Sequence, residues 1–472
     1  MRSQLVMKSF ATLTIFMFAI SLNTGVATSA PKITTGAACK SLNNKVTYKG
    51  KVYTCQKKGK KLVWSKGVTV KSASSNTAQP PSIKQVAYLP PTEAGSSIDI
   101  CRIKEVSKSR GMTGAGFPEW DSLTPKTGKV KWALIPIDFA DLPGEKNFRP
   151  RVDEQMKLLS EWFDTVSEGK FNVEWVVHDS WVRLPGVSLG YRIERSENLD
   201  RAANGLKLWT NAMRESDKVF DFTNIQTVNF LLPKGQRFVI ETSQGFPWDP
   251  GVRDLVTNEG KVDSFSIPGQ FMDLPGKEYW SYWAHEFGHA IGLPHIGSSR
   301  ESNPFQAYDI LGTQDGPSRE LTGWLRFLAG WLDDSRVHCQ ETAKLTNNEI
   351  TLVPLSSREA GVKVAIIPTS PTKAVVIESR RDTKFDCKTP RGRNGVLVYT
   401  YDATLGHGDT FLKPLPLPNR PFEMDECGQK NQRSEPTQDL LLREGEKATV
   451  EGITIEVLLH GTRDRIRITR NA

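Results

Sequence analysis

The stretch YWSYWAHEFGHAIGLPH, residues 279–295, stands out in this 472-residue chain. The pattern HExxHxxGxxH within it is formed by His285, Glu286, His289, Gly292 and His295. If its first half is helical, His285 and His289 are four residues apart and project from one face, about one turn from each other. Two imidazoles placed in this way can bind the same metal ion, so the stretch predicts a helix that carries a metal site.

The residues around the two histidines complete the predicted site. Glu286 leaves the helix at a different angle, so its carboxylate can act as a general base toward a metal-activated water. Gly292 can adopt a positive φ at no steric cost, and Pro294 prevents the helix from resuming. The chain can then turn back and present His295 as a third nitrogen ligand. Three histidines leave the fourth position of a zinc ion open, as in catalytic rather than structural zinc sites.

The alternative is that these are core or surface histidines of an ordinary helix. The chain has only seven His and 37 Gly, and this pattern should arise by chance on the order of once in 100,000 such sequences. The metal site is therefore the better interpretation. Large apolar side chains at helical spacing predict the buried back of the same helix rather than a substrate site. They are Trp280, Trp283, Phe287 and Ile291.

The motif resembles that of the metzincin metallopeptidases. The resemblance implies a zinc endopeptidase whose helix ends at Gly292 and whose three histidines bind the metal. Metzincins also place a methionine in a turn beneath the zinc, whereas the matching turn here, YDILG at residues 308–312, has Leu311 at that position. Because Leu and Met are close in volume, an apolar floor is retained.

Longer stretches narrow the resemblance to the immune-inhibitor-A-like and gametolysin-like secreted metallopeptidases. The segments that carry it are IPIDFAD, SEGKFNVEWVVHDSWVRLP, the zinc motif, YDILG and TGWLRFLAGWL, all within about residues 130–335. Farther along the chain, VVIESRRDTKFDC and GVLVYTYD resemble the β-rich segment that follows the catalytic domain in the same group.

Two residues of the YDILG turn are candidate auxiliary groups. Tyr308 is a candidate electrophile that would stabilise an oxyanion, and the alternative is a core tyrosine at the turn. Asp309 is a candidate support for a metal ligand. His407 lies between two glycines in a long loop and could be a ligand, but a loop histidine without a partner motif is more often neither ligand nor catalyst. The same holds for His178, His338 and His460.

Composition divides the chain into five predicted segments. These are residues 1–30, a secretory signal; 31–67, a small Lys-rich, Cys-paired β module; 68–97, a linker rich in Ser, Thr and Pro; 98–340, a zinc metallopeptidase domain; and 341–472, a β-rich domain. The apolar run of the signal is too short to span a bilayer comfortably, and no transmembrane segment is predicted after it is removed. We expect a secreted protein, extracellular or attached to the cell surface, of a Gram-positive bacterium.

The predicted fold is multidomain. Alternating strand and helix patterns between about residues 130 and 290 predict an α/β (α+β) catalytic domain in which a sheet backs the zinc helix. From about Glu341 onward, short strand patterns separated by Gly, Pro and Asp predict an all-β, sandwich-like domain.

Six cysteines behind an export signal predict disulfide bonds. Fifteen connectivities are possible. Proximity in sequence favours the pairs Cys39–Cys55 and Cys387–Cys427, which leaves Cys101 for Cys339.

The net charge of +9 is concentrated at the front of the chain. Residues 1–97 hold 14 Lys and Arg against one acid, and the remainder holds 48 basic and 52 acidic residues. Because most of the chain is slightly acidic and exported, nucleic acid is not an expected partner. An anionic cell-wall or cell-surface polymer, bound through residues 31–97, is one hypothesis for the basic part, and a solvated tether is the other.

The sequence thus predicts a secreted zinc-dependent endopeptidase that cleaves protein or peptide substrates with Glu286 as general base. Zinc is the expected cofactor, and the sequence neither indicates nor excludes calcium as a second ion. One alternative is a noncatalytic cell-surface binding protein that retains the metal site, which Leu311 favours and the intact Glu286 opposes. The other is a zinc amidase that acts on wall peptides.

Overall fold

The computed structural model describes most of the chain after its first 33 residues. The described residues are 34–39, 42, 45–48, 51–69, 83–107, 113–119, 124–193, 201–240, 243–245, 251, 255–273, 278–297, 304–314, 318–389, 391–417, 419–426 and 437–471. The predicted secretory signal lies outside them. Among the described residues, no helix has both the length and the apolar character needed to cross a membrane. The chain divides into two compact units, Met1–Ser82 and Ile83–Ala472.

The first unit contains a small antiparallel sheet. Its strands are β1 (Lys45–Tyr48), β2 (Lys51–Lys58), β3 (Lys61–Trp64) and β4 (Val68–Thr69). Strand β2 pairs with each of the others. Between β2 and β3 the chain turns at Gly59 with φ of 60°, a left-handed conformation that glycine adopts without strain. The disulfide Cys39–Cys55 stabilises this sheet, as proximity in sequence predicted.

The first half of the second unit is built on a mixed sheet. Its strands and an adjoining hairpin are β5 (Gly128–Asp138), β6 (Phe171–Val177), β7 (Val182–Arg183), β8 (Ile225–Leu231), β9 (Ser243–Gly245), β10 (Val256–Thr257), β11 (Gly260–Lys261) and β12 (Ser264–Ile267). The order in the sheet is β6-β5-β8-β12-β9, with β7 beside β5, and β10 pairs with β11. Strands β6, β5, β8 and β12 run parallel, whereas β9 is antiparallel at the edge.

Four α-helices accompany this sheet in the described residues. They are α1 (Arg149–Val166), α2 (Arg201–Ser216), α3 (Tyr279–Ala290) and α4 (Gly323–Leu328). Successive side chains of a strand point to opposite faces. In β5, Trp132 and Leu134 therefore join the core that contains α1 and α3, whereas Ala133 and Ile135 join the core that contains α2. Helix α3 thus lies against one face of the sheet, as predicted.

The second half of this unit is all β in its regular structure. Its strands are β13 (Val337–Cys339), β14 (Asn347–Leu352), β15 (Val364–Ser370), β16 (Lys373–Arg380), β17 (Gly395–Asp402), β18 (Leu412–Pro414), β19 (Phe422–Glu423), β20 (Thr437–Gln438), β21 (Leu441–Leu442), β22 (Lys447–Val450), β23 (Ile453–His460) and β24 (Asp464–Arg470). One sheet has the order β13-β15-β16-β17-β18, with β21 beside β17, and the other has the order β14-β24-β23-β22. Apolar side chains from both sheets form one core, which gives the sandwich-like arrangement that the sequence predicts.

The sandwich and the α/β part share a second core. The side chains of β15, β16 and β17 that point away from the sandwich interior pack with those of α1, α3 and α4. The ring of Trp324 in α4 stacks on Tyr401 of β17 with 3.9 Å between centres. The backbone N–H of Gly323 donates to Glu378 of β16 at 2.7 Å. The α/β part and the sandwich therefore share a core within the compact unit Ile83–Ala472.

Two segments differ from the predicted boundaries. Strand β13 precedes residue 340 but pairs with β15 of the sandwich, and the disulfide Cys101–Cys339 fixes it to the start of the unit. Residues 83–97, predicted as part of the linker, are packed: Val86 is buried, and the Glu93 carboxylate accepts a hydrogen bond from the backbone N–H of Asn347. Proline-rich composition predicts an extended chain, but it does not show whether that chain packs against a sheet or is exposed to solvent. Cys387 is disulfide-bonded, and Cys427, its predicted partner, lies outside the described residues.

Candidate metal centre

Helix α3 presents the motif and ends where the sequence predicts. Its apolar back is buried at Trp280, Trp283 and Phe287. The regular helix stops at Ala290, and Gly292 takes φ of 96°, which requires a residue without Cβ to avoid strain. This turn redirects the chain, so that the residues after it return toward the helix.

His285 and His289 are each fixed by a backbone carbonyl. Nδ1 of His285 lies 2.7 Å from the carbonyl oxygen of Ile310, and Nδ1 of His289 lies 2.9 Å from that of Leu293. A carbonyl oxygen can only accept, so each Nδ1 carries the proton of a neutral ring. Burial favours the neutral form: it lowers the pKa of His285 to about 3 and holds that of His289 well below its usual value.

The two Nε2 atoms then face each other without a proton between them. They are 3.3 Å apart. Two nitrogens of a tetrahedral zinc site with ordinary Zn–N bonds lie about 3.3 Å apart. Two lone pairs at this distance repel each other unless a cation lies between them, so the geometry fits a shared metal ion.

His295 completes the cluster. Its ring centre lies 4.9 Å from that of His285 and 5.4 Å from that of His289. One ring nitrogen from each of the three residues lies within 4.8 Å of the other two. Neutral imidazoles converging from a helix and from the turn after it suit zinc. The three histidines can therefore hold a metal ion.

Glu286 lies beside the cluster in a poorly solvated position. Burial raises the pKa of its carboxyl to about 7, against a hydrogen bond from Tyr282 that lowers it, although part of the residue still reaches solvent. A small space of about 20 Å³ between α3 and the sheet is lined by Glu286, by Gly245 of β9 and by Ser266 of β12. The edge of the mixed sheet thus lies next to this carboxyl group.

The YDILG turn lies underneath the helix. A Cβ added at Gly288 would be 2.8 Å from Cδ2 of Leu311, so Leu311 packs directly against the segment between the two helical histidines. Asp309 is fully buried and accepts the backbone N–H groups of Leu311 and Thr322, both at 2.7 Å. Its carboxylate therefore shapes the turn that offers the Ile310 carbonyl to His285.

Tyr308, the candidate electrophile, is bound elsewhere. Its hydroxyl donates to the carbonyl oxygen of Gln438 at 2.8 Å and accepts the N–H of Leu440 at 2.6 Å. Its ring also lies next to the guanidinium of Arg393. These contacts use both hydrogen-bonding capacities of the hydroxyl in the β-rich half, and they favour the alternative of a core tyrosine.

His407 lies beside the histidine cluster, although the sequence gave it no partner motif. Its ring centre is 5.7 Å from that of His289 and 6.3 Å from that of His295. The two chain segments are 112 residues apart, so only the folded structure brings them together. A histidine flanked by glycines in a long loop was the one available signal.

The remaining histidines have other contacts. His178 lies edge-on to Phe220, and His338 is hydrogen-bonded within a buried group with Gln340 and Asn348. His460 forms a hydrogen bond with Asp464. In the part of the chain that the structure describes, the cluster able to hold a metal ion comprises His285, His289 and His295.

Comparison with known proteins gives a limited result. No protein-family model and no curated protein matches the chain. Among solved structures, wild-type OgpA from Akkermansia muciniphila is similar at 12% identity, over 77% of this chain and 100% of that chain, with a TM-score of 0.27. Catalytically inactive OgpA in complex with an O-glycopeptide substrate, glycodrosocin, is similar at 12% identity, over 76% and 96%, with a TM-score of 0.26. Scores this low carry no argument about the present chain.

Proposed function

We propose that this protein is a secreted, zinc-dependent endopeptidase of the metzincin type. The observation that carries the proposal is the pair of unprotonated Nε2 atoms of His285 and His289, 3.3 Å apart, with His295 converging on them. Three neutral imidazole ligands are the donor set of a catalytic zinc site with an open fourth position.

A zinc ion bound there would polarise the scissile carbonyl and make water a stronger nucleophile. The residues of the chain supply the rest. Glu286 follows the first histidine of the motif and lies beside the cluster, and in the proposed mechanism it takes a proton from the attacking water and later gives it to the leaving amine. The Ile310 and Leu293 carbonyls hold the two helical imidazoles in the tautomer that leaves Nε2 free for the metal.

The proposed substrate is a protein or peptide in extended conformation. Strand β9 lies at the edge of the mixed sheet, and its Gly245 lines the same small space as Glu286. An edge strand offers free backbone groups to an extended chain. A zinc amidase acting on wall peptides would use the same groups, so the two proposals differ in substrate rather than in mechanism.

The alternative of a noncatalytic binding protein predicts no role for the carboxyl of Glu286. The position of Glu286 opposes this alternative, because a poorly solvated carboxyl lowers stability, and such groups are found chiefly at functional sites. Leu311 in place of methionine does not favour it, since the leucine fills the space beneath α3.

The test is the variant Glu286→Gln. The amide keeps the size of the side chain but cannot accept a proton, so we expect zinc content equal to wild type and cleavage reduced by at least about a thousandfold. Zinc is measured by elemental analysis, and cleavage by mass spectrometry of digests of casein and of purified wall peptides. Glu154→Gln, at an exposed position of α1, is the matched control.

If Glu286→Gln cleaves as fast as wild type, the general-base role is wrong. If wild-type protein loaded with zinc cleaves neither substrate, the binding-protein alternative is preferred. Cleavage of wall peptides alone would identify the amidase.

A second proposal concerns the Lys-rich unit. Its described lysines, among them Lys57, Lys58, Lys60 and Lys61, are exposed on and beside the small sheet. Exposed cations without neighbouring acids attract anionic polymers at low ionic strength. We propose that this unit retains the enzyme on an anionic polymer of the cell surface.

A further inference from the structure

The loop that carries His407 is attached to the chain segment that carries the third histidine. The N–H of Gly408 donates to the carbonyl oxygen of His295 at 2.9 Å, and the N–H of Gly297 donates to that of Asp409 at 2.8 Å. These backbone bonds fix the loop from the β-rich half against the metal centre, so His407 has a defined position there.

The hydrogen bonds of His407 determine which ring nitrogen carries its proton. The backbone N–H of His295 donates to Nδ1 of His407 at 3.2 Å. A backbone N–H cannot accept, so Nδ1 is the unprotonated nitrogen and the hydroxyl of Thr113, 2.7 Å away, also donates to it. In the neutral ring the proton is therefore on Nε2.

This arrangement leaves Nε2–H as a donor without a partner among the described residues. The fixed ring is within 6.3 Å, centre to centre, of two of the three cluster histidines. A donor held in place before the reaction stabilises a developing negative charge more than a mobile group does, because it does not have to reorganise. Tyr308, the candidate from the sequence, has its hydroxyl bonded to Gln438 and Leu440.

We propose that His407 donates its Nε2–H to the oxyanion that forms on the scissile carbonyl oxygen at the metal centre. His407 neither gains nor loses a proton in this role, because it only donates a hydrogen bond. The inference rests on the proposed function and adds to it a catalytic residue from the β-rich half of the unit.

Two substitutions separate the nitrogens of the ring. In His407→Asn the side-chain oxygen can occupy the position of Nδ1 and accept the His295 N–H, but no donor reaches the position of Nε2. In His407→Gln the amide NH₂ can reach the position of Nε2. A purely structural role predicts that Asn is the better replacement, whereas the donor role predicts that Gln is. His178→Asn, which removes a histidine that contacts Phe220, is the control.

The experiment uses the full chain loaded with cobalt in place of zinc and titrated with acetohydroxamate, an oxygen-donor ligand of metal sites, while the cobalt absorption bands are recorded. We expect the dissociation constant to rise about tenfold in His407→Asn and to rise less in His407→Gln, because a hydrogen bond to a charged oxygen is lost only in the first. With a cleaved peptide, kcat of the Asn variant should fall about a hundredfold with little change in KM.

The inference is overturned if His407→Asn binds acetohydroxamate as tightly as wild type, or if His407→Gln is no better than Asn. It is also overturned if the cobalt spectrum before titration differs between wild type and the Asn variant, because His407 would then be a ligand. A cobalt-loaded wild type that binds acetohydroxamate but cleaves no peptide contradicts the proposed function alone, and the comparison of variants still decides the role of His407.

Discussion

Asp309 is bonded to the backbone of the turn that contacts His285. Each carboxylate oxygen accepts one backbone N–H, from Leu311 and Thr322. The carbonyl oxygen of Ile310, the residue between Asp309 and Leu311, accepts Nδ1–H of His285. In Asp309→Asn one of the two N–H groups faces an NH₂ group and loses its acceptor, which costs about 1–3 kcal/mol at a buried site. We expect the turn to shift and zinc affinity to fall about 10- to 100-fold, as measured by competition with a chromophoric chelator.

Asp179→Asn provides the comparison, because Asp179 is exposed and pairs with Arg149 at the surface. We expect wild-type zinc affinity in that variant. Unchanged zinc affinity in Asp309→Asn would mean that the turn keeps its shape without the second hydrogen bond, and Asp309 would then have no role in supporting His285.

Local spacing predicts the three cluster histidines, because ligands at i, i+4 and i+10 on a helix and its turn meet without help from distant parts of the chain. It cannot predict His407, whose position depends on backbone bonds between segments 112 residues apart. Nor can it predict the direction of the Tyr308 hydroxyl, which is set by the backbone at residues 438 and 440. The residue type indicates which chemistry a side chain can perform, whereas hydrogen bonds to distant parts of the chain determine its position in the fold.

The end of helix α3 is the element that places the third histidine. Gly292 has φ of 96°, and a residue with Cβ in this region is strained by about 1–2 kcal/mol. In Gly292→Ala we expect the turn to relax toward negative φ, which moves His295 away from the two helical histidines. Zinc affinity should therefore fall by at least about tenfold, in addition to a lower melting temperature.

Gly186→Ala separates the two effects. Gly186 has φ of 80° and open space around the position of a Cβ, so the substitution introduces similar backbone strain away from the metal centre. A lower melting temperature in both variants with weaker zinc binding only in Gly292→Ala supports the role of the turn. Equal zinc affinity in both would show that His295 does not depend on the conformation of Gly292.

Elements with a clear period could be predicted from the sequence. The helical spacing of Trp280, Trp283 and Phe287 predicts the buried face of α3, and a Gly followed by a Pro predicts its end. The short strands could not be predicted in the same way, because β9 and β13 have three residues each. Such short strands are stabilised by hydrogen bonds to a neighbouring strand. The local sequence does not indicate which strand that neighbour is.

At the scale of the whole molecule, composition separates the basic front from the rest, and the predicted boundary at about residue 340 falls inside the second compact unit. The two faces of the β13–β18 sheet are both apolar, and one of them packs against α4 through Trp324 and Tyr401. Because both faces of this sheet are buried, it belongs to the core shared with the helices as well as to the core of the sandwich. The change from α/β to all-β sequence patterns at about residue 340 therefore marks a change of architecture within one core.

The division into two compact units predicts that the Lys-rich unit can be removed without affecting the metal centre. Residues 31–82 contain 11 Lys and no Asp or Glu, whereas residues 83–472 have a net charge of −4. A protein that begins at Ile83 should therefore keep wild-type zinc content and peptide cleavage but lose retention on immobilised polyphosphate at low salt, since only the first unit carries excess positive charge. Retention is measured as the salt concentration at which the protein elutes.

The full chain with Lys57, Lys58, Lys60 and Lys61 all changed to Gln tests charge separately from the presence of the unit. These side chains are exposed, so the sheet and its disulfide should persist, and we expect elution at clearly lower salt than wild type. If this variant elutes like wild type, binding depends on the shape of the unit rather than on its charge. If the protein that begins at Ile83 is retained as strongly as the full chain, the first unit does not bind the polymer and is only a tether. Residues 83–472, which have a net negative charge, would then bind the polymer through interactions that do not depend on net positive charge.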